Sequence, residues 1–238
     1  MSQFRFGLLV FPRVQQLDLT GPYEVFAHVP DAAVHLVWKD LDPVVSVTGL
    51  RLSPETTIAG CPQLDVLCVP GGAGVNALME DAEILEFLRR QAAGVRFLTS
   101  VCTGALVLGA AGLLTGRCAT THWASHDLLG RLGAVPERGR VVRDGAVMTG
   151  GGVTAGIDFA LTLVGELLGR EVAQEIQLQL EYAPEPPFAA GHPDTAPTSV
   201  VAAVRERGQA LRAEREALVS RLAAARMRRT SQQRGQLV

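Results

Sequence analysis

The chain has 238 residues, 47% of them apolar and 19% charged, with a formal net charge of -2. That length and apolar fraction suit one α/β domain with a large core, and the near balance of charge gives no overall electrostatic reason for a nucleic-acid or membrane partner. No apolar run approaches the roughly 18 to 20 residues that cross a bilayer, and four scattered cysteines do not make a disulfide framework, so a cytoplasmic chain with free thiols is expected.

Met1 to Arg5 run straight into an apolar stretch, Phe6 to Phe11, rather than into a secretory leader, and that stretch predicts the first strand. In Leu17-Asp18-Leu19-Thr20-Gly21-Pro22, Thr20 and Pro22 suit a helix start, predicting a helix from Pro22 to Ala27 with Asp18 in the loop just ahead of it. Glu24 falls inside that helix and is the weaker acid candidate. Val34 to Trp38 predicts a second strand, and Asp40 to Ser53 a small hairpin excursion. Val66 to Val69 and Val95 to Ser100 are strands covered on both faces, since their apolar runs barely alternate. Helical patterns occupy Ile84 to Gln91, Gly104 to Ala111 and Ala124 to Leu132. A strand at Val147 to Thr149 precedes helices over Ala155 to Leu168 and Glu171 to Glu181. The repeated β-α order implies a doubly wound, mostly parallel sheet.

Ala183 to Pro197 is rich in Pro, Gly and Ala and reads as a loop. Beyond it Val200, Val204, Leu211, Leu218 and Leu222 recur at helical spacing, predicting an amphipathic helix. From Val201 onward nine arginines face three glutamates, a net of +6, yet Glu206, Glu214 and Glu216 interleave with the arginines as on a solvated face, so packing on the domain or on a second copy is expected rather than contact with DNA. The expected organisation is an α/β domain over 1–183, a loop over 184–198, a packing helix over 199–230 and a frayed tail over 231–238.

Open parallel sheets carry their sites beyond the carboxyl ends of the strands. Here those ends are Pro12 to Gly21, Pro70-Gly71-Gly72-Ala73-Gly74, Val101-Cys102-Thr103-Gly104 and Gly150-Gly151-Gly152, four loops expected to meet at one pocket. Cys102 stands where an apolar strand turns into a small-residue helix, a geometry that lifts a side chain clear of the sheet beside free helix N–H groups. An ordinary thiol has a pKa near 8.5, and a helix terminus supplies only about 0.3 to 2 kcal/mol toward ionising it. More help must come from backbone amides at Thr103 and Gly72 and from an acid partner. An ionised Asp18 beside the sulfur would repel a thiolate, so the expected arrangement is a protonated Asp18 carboxyl donating to the Cys102 thiolate, the two titrating as a pair.

The other cysteines, Cys61, Cys68 and Cys118, read as packing residues. His122 and His126 lie one turn apart without the glutamate of a zinc-protease helix or a third ligand, so no metal is expected. The glycine runs match neither a phosphate loop nor a dinucleotide fingerprint. Close approach of backbone to a small ligand explains them better; Gly72, Gly151 and, just after the second run, Val153 are the candidate substrate-binding and oxyanion positions.

Taken together, Pro70-Gly71-Gly72, Ser100-Val101-Cys102-Thr103-Gly104, Thr121-His122-Trp123 and Leu17 to Pro22 resemble the ThiJ/PfpI superfamily of cysteine-elbow, flavodoxin-like proteins over about the first 180 residues. Within it, Thr149-Gly150-Gly151-Gly152-Val153-Thr154-Ala155-Gly156-Ile157-Asp158, Leu178 to Pro184 and Pro193-Asp194-Thr195-Ala196-Pro197 are most similar to the isocyanide-hydrating family. The resemblance implies a homodimeric, cofactor-free lyase that converts an isocyanide to an N-substituted formamide, with Cys102 as nucleophile, Asp18 as its acid partner and Thr103 in the pocket. Peptidase and glyoxalase-like members of the superfamily carry a histidine directly after the elbow cysteine, where this chain has Thr103. The sensory domains of AraC-type transcription regulators share the elbow and the Thr-His-Trp segment, which makes a ligand-sensing domain the alternative. Their DNA-binding region needs about a hundred residues, and only about forty follow Pro197 here.

Overall fold

A computed structural model describes residues 4–235. Strands β1 (Phe4–Leu9) and β2 (Ala32–Trp38) are joined by helix α1 (Gln16–Ala27). A hairpin, β3 (Val44–Val45) with β4 (Arg51–Leu52), fills the expected excursion and is followed by β5 (Thr56–Thr57). Then come β6 (Val66–Val69), α2 (Val75–Leu78), α3 (Ala82–Ala92), β7 (Phe97–Val101) and α4 (Gly104–Ala110). The short strands β8 (Cys118–Ala119) and β9 (Val135–Pro136) pair with each other outside the main sheet. The chain continues through β10 (Val141–Asp144), β11 (Val147–Gly150), α5 (Ala155–Leu168), α6 (Arg170–Gln179) and α7 (Thr198–Gly235).

Seven strands form the central sheet in the order β10-β11-β7-β6-β1-β2-β5, every neighbour parallel except the β10–β11 hairpin at one edge. The doubly wound, flavodoxin-like α/β class is therefore the observed one. Every residue of β6 and β7 is buried, as expected for strands covered on both faces. Around the sheet, α1 packs with α5 and α5 with α6, while α4 packs with α2 and α3. Phe26 of α1 stacks on Phe6 of β1 with ring centroids 4.5 Å apart and meets Phe159 of α5 edge-on at 6.2 Å. This buried aromatic trio, which contributes beyond its area through ring geometry, locks α1 against the sheet and so fixes where its first turn points.

Two local expectations need correcting. Helix α1 begins at Gln16, not at Pro22, and Asp18 therefore lies in its first turn rather than in a preceding loop. A proline inside a helix removes a hydrogen bond and costs roughly 3 kcal/mol, which is why the sequence pattern favours it at the start. Tertiary packing overrides that preference: Pro22 sits so close to α5 that a Cβ on Gly156 would lie 3.0 Å from its Cδ. The expected α-helix over Ala124 to Leu132 is instead two 3-10 segments, Trp123–Leu128 and Gly130–Leu132, stopped by left-handed Gly133. His122 caps the first by accepting from the Ala124 amide at 3.3 Å, and Leu128, Leu129 and Leu132 are still buried.

Helix α7 buries Leu218 and Val219 and is pinned by Arg212 to Asp127 and by Arg221 to Glu80. It runs on to Gly235, through the first part of the segment expected to fray, and residues 236–238 of that segment lie outside the described residues. No described helix is long and apolar enough to cross a membrane.

Candidate active site

Strand β7 ends at Val101, and the next residue, Cys102, adopts φ 55°, a left-handed conformation that a side-chain-bearing residue seldom takes. Strain of this kind persists only where the surroundings hold it. Both backbone groups of Cys102 are held: its amide donates to Gly150 O at 3.0 Å, and its carbonyl accepts from Thr121 Oγ1 at 2.7 Å. The elbow thus hangs between β11 and the segment after β8, with Cys102 only 6% exposed.

Asp18 reaches the same place from α1. It is fully buried, its Oδ2 accepts from the Gly71 amide at 3.0 Å, and its Oδ1 meets no aligned hydrogen-bond donor. The Cys102 thiol lies close enough for each group to shift the other's ionisation. Burial pushes the Asp18 carboxyl up from 3.8 to about 7, against smaller opposing contributions from Cys102 and the Gly71 amide. Burial first, and the Asp18 charge second, hold the Cys102 thiol well above its ordinary value. Desolvation outweighs the donation from Thr103 at the sulfur, so the pair holds a shared proton rather than losing both. That single shared proton leaves two tautomers, thiol with carboxylate and thiolate with carboxylic acid.

Gly71 and Gly72 form the third side. A Cβ on Gly71 would lie 2.6 Å from the Thr103 amide nitrogen and 2.7 Å from Asp18 Oδ2, so only glycine lets this strand exit touch both partners. Gly71→Ala is accordingly expected to push Asp18 off the Gly71 amide and to destabilise the fold by more than about 2 kcal/mol, read as a lowered melting temperature. The Gly72 amide, expected to face substrate, is instead taken by Thr103 Oγ1 at 3.0 Å. Thr103, only 5% exposed, thereby ties the elbow to the glycine turn.

The structure thus brings Asp18, Thr103, Gly71 and Gly72 to Cys102. Gly151 and Val153 line a cavity of about 710 Å³ that also includes Thr121, the residue bonded to the Cys102 carbonyl, together with His122, Trp123 and Arg140. Neither Cys102 nor Gly72 lies on that cavity's wall. Cys68 is buried with its thiol pushed up to about 12, Cys61 and Cys118 are partly buried, and all are free thiols. Among the described residues no group of three or more His, Cys, Asp or Glu side chains is arranged to hold a metal ion.

Sequence reasoning missed Arg215. This α7 residue is 6% exposed and donates to Gly72 O at 3.2 Å, Asn76 Oδ1 at 2.9 Å and Ser125 Oγ at 3.3 Å. A signal was present: Arg215 falls four residues after Leu211 and three before Leu218, on the apolar stripe itself rather than on the charged face.

The DJ-1/PfpI family model matches residues 5–166. The chain is 68% identical over 201 residues, 84% of its length and 88% of the other's, to an isonitrile hydratase of Pseudomonas putida. It superposes with a TM-score of 0.89 on the crystal structure of a THiJ/PfpI family protein from Pseudomonas syringae, at 44% identity and covering 92% of this chain and 91% of that one. It also matches the HTH-type transcriptional regulator GbdR of Pseudomonas aeruginosa, 31% identical over 152 residues, but these span 62% of this chain and only 41% of the regulator.

Proposed function

From the premise that this chain belongs to the DJ-1/PfpI family, we propose that it hydrates an isocyanide to the N-substituted formamide. The observation that carries the reading is the buried Cys102–Asp18 pair, with one carboxylate oxygen held by an amide and the other left free beside a thiol on a strained elbow. The 68% identity to an isonitrile hydratase supports the choice of substrate. Against the regulator reading, α7 is one helix packed back onto the α/β domain, not a pair of short helices set at an angle.

In the first step the thiolate tautomer attacks the terminal isocyanide carbon. An S–C bond forms while Asp18 gives its proton to that carbon, leaving a thioimidate on Cys102 and a carboxylate at position 18. The carboxylate then takes a proton from water as the hydroxyl adds to the same carbon, and passes that proton to the nitrogen. Collapse breaks the C–S bond, the hydroxyl proton returns to Asp18, and the formamide leaves. One water is consumed and the pair ends with its single proton restored, so no outside acid or base is needed. Thr103, locked to the Gly72 amide, keeps the elbow and the glycine turn in register through these steps. Gly151 and Val153, on the wall of the adjoining cavity, are read as substrate-binding positions.

Incubation with one alkyl and one aryl isocyanide, with the formamide detected by mass, tests the reading. Failure to form either formamide removes it. Because the reactive form is the one-proton pair, alkylation of Cys102 by iodoacetamide should rise with pH through an inflection near 7, set by the first proton lost from the pair. A single inflection at an ordinary thiol value would mean that Asp18 does not share the proton. We read the assembly as a homodimer, for which exposed Leu178, Phe188, Val200 and Val204 supply apolar surface. Sedimentation at the mass of one chain would remove that part.

A further inference from the structure

Arg215 is a buried cation with an unusual set of partners. Its neighbours on α7 hold carboxylates, Arg212 with Asp127 and Glu216 and Arg221 with Glu80, whereas Arg215 pairs with no carboxylate among the described residues. All three of its acceptors are neutral oxygens: the Asn76 side chain, the Ser125 hydroxyl and the Gly72 carbonyl. A guanidinium taken out of water and left without a counter-ion is costly, and neutral acceptors offset only part of that cost. The missing anion has a natural place, because the glycine that Arg215 grips by its carbonyl donates its own amide to Thr103 Oγ1, next to the elbow thiol, while the preceding amide holds Asp18.

We propose that Arg215 is a positioning residue: it clamps the Gly71–Gly72 turn from behind and supplies the standing positive charge against which the anionic Cys102–Asp18 pair is set. The proposal rests on Cys102 being the working thiol, as in the reading above, and extends it to a residue of the C-terminal helix.

The direction of the electrostatics agrees. The Arg215 charge draws the Cys102 thiol downward, against burial and Asp18, and the guanidinium is in turn favoured by an ionised Cys102. The other titratable groups facing this cluster are Cys68 beside Asp18, His122, which burial and then the Arg215 charge push downward, and Arg212 and Glu214 on α7. Neither basic group among them replaces Arg215 at the pair: Arg212 is engaged with Asp127 and Glu216, and burial and Arg215 together hold His122 below its usual value.

The test is the pH dependence of Cys102 alkylation by iodoacetamide, read by mass on the modified peptide. It needs no isocyanide, so a failed substrate assignment and a failed role for Arg215 are told apart. In Arg215→Met the inflection is expected to rise by about one pH unit, with the rate below it about tenfold lower, whereas Arg215→Lys, which keeps the charge, should stay within about 0.3 unit of the parent. Asn76→Asp places a carboxylate against the guanidinium and cancels its charge without removing it from the core. The same upward shift is expected there, and that variant decides the matter if Arg215→Met does not fold. An unmoved inflection in Asn76→Asp or in folded Arg215→Met overturns the proposal, as does an equal rise in the Lys and Met variants, which would reduce the role to packing.

Discussion

Cys102→Ser is expected to bring formamide production down to background, a loss of roughly 10⁴-fold or more, as when a covalent nucleophile is removed elsewhere. A serine hydroxyl at this elbow keeps the left-handed backbone and the bonds to Gly150 and Thr121, because those involve only main-chain atoms of residue 102. What it loses is acidity. Even a thiol held up by burial and by Asp18 ionises more readily than a hydroxyl, and the sulfur is the better nucleophile and leaving group in both halves of the cycle. Mass spectrometry of the parent protein with a slow substrate should show one isocyanide added to Cys102, and the serine variant should show none. Full turnover by the variant would exclude the covalent route, even if the protein proved to be an isocyanide hydratase.

Asp18→Asn should lower turnover by roughly 10² to 10⁴-fold, the range for a lost general acid–base group, while raising stability at neutral pH. The two effects share one cause. Asp18 titrates at 3.8 when unfolded and at about 7 when folded, so across that window the folded state retains a proton that the unfolded state has given up. Stability then falls as pH rises between those values and levels off above them, because ionising the buried carboxyl opposes folding. Asparagine carries no charge and removes that penalty. Its amide keeps an oxygen for the Gly71 N–H and a donor for the sulfur, so the fold has no reason to change. Thermal melts of both proteins at pH 4 and pH 8 check this: the variant should melt higher at pH 8, with the difference closing toward pH 4. An equal difference at both values would mean that Asp18 is not held protonated by burial, and unchanged turnover would remove it from the chemistry.

The sheet was legible because each central strand is a short apolar run whose meaning depends only on its own residues. The elbow was legible for a related reason: Val101-Cys102-Thr103-Gly104 joins a strand signal directly to a helix of small residues. The start of α1 was not legible, since Pro22 is an unfavourable mid-helix residue until α5 is packed against it through Gly156. Nor was the role of the Gly72 amide, which looked free for substrate until Thr103 Oγ1 was found on it.

From its residues alone, then, the chain determined its alternation of strands and helices, its fold class and the cysteine turn, since those follow from hydrophobic period and turn chemistry within a few neighbours. Only the tertiary structure decided the ionisation of that cysteine and the company it keeps. Asp18 meets the Gly71 amide across 53 residues of sequence and Arg215 meets the Gly72 carbonyl across 143. The pKa of a buried group depends on how completely water is excluded and on which charges close around it, and both are properties of the assembled core that no local stretch of sequence encodes.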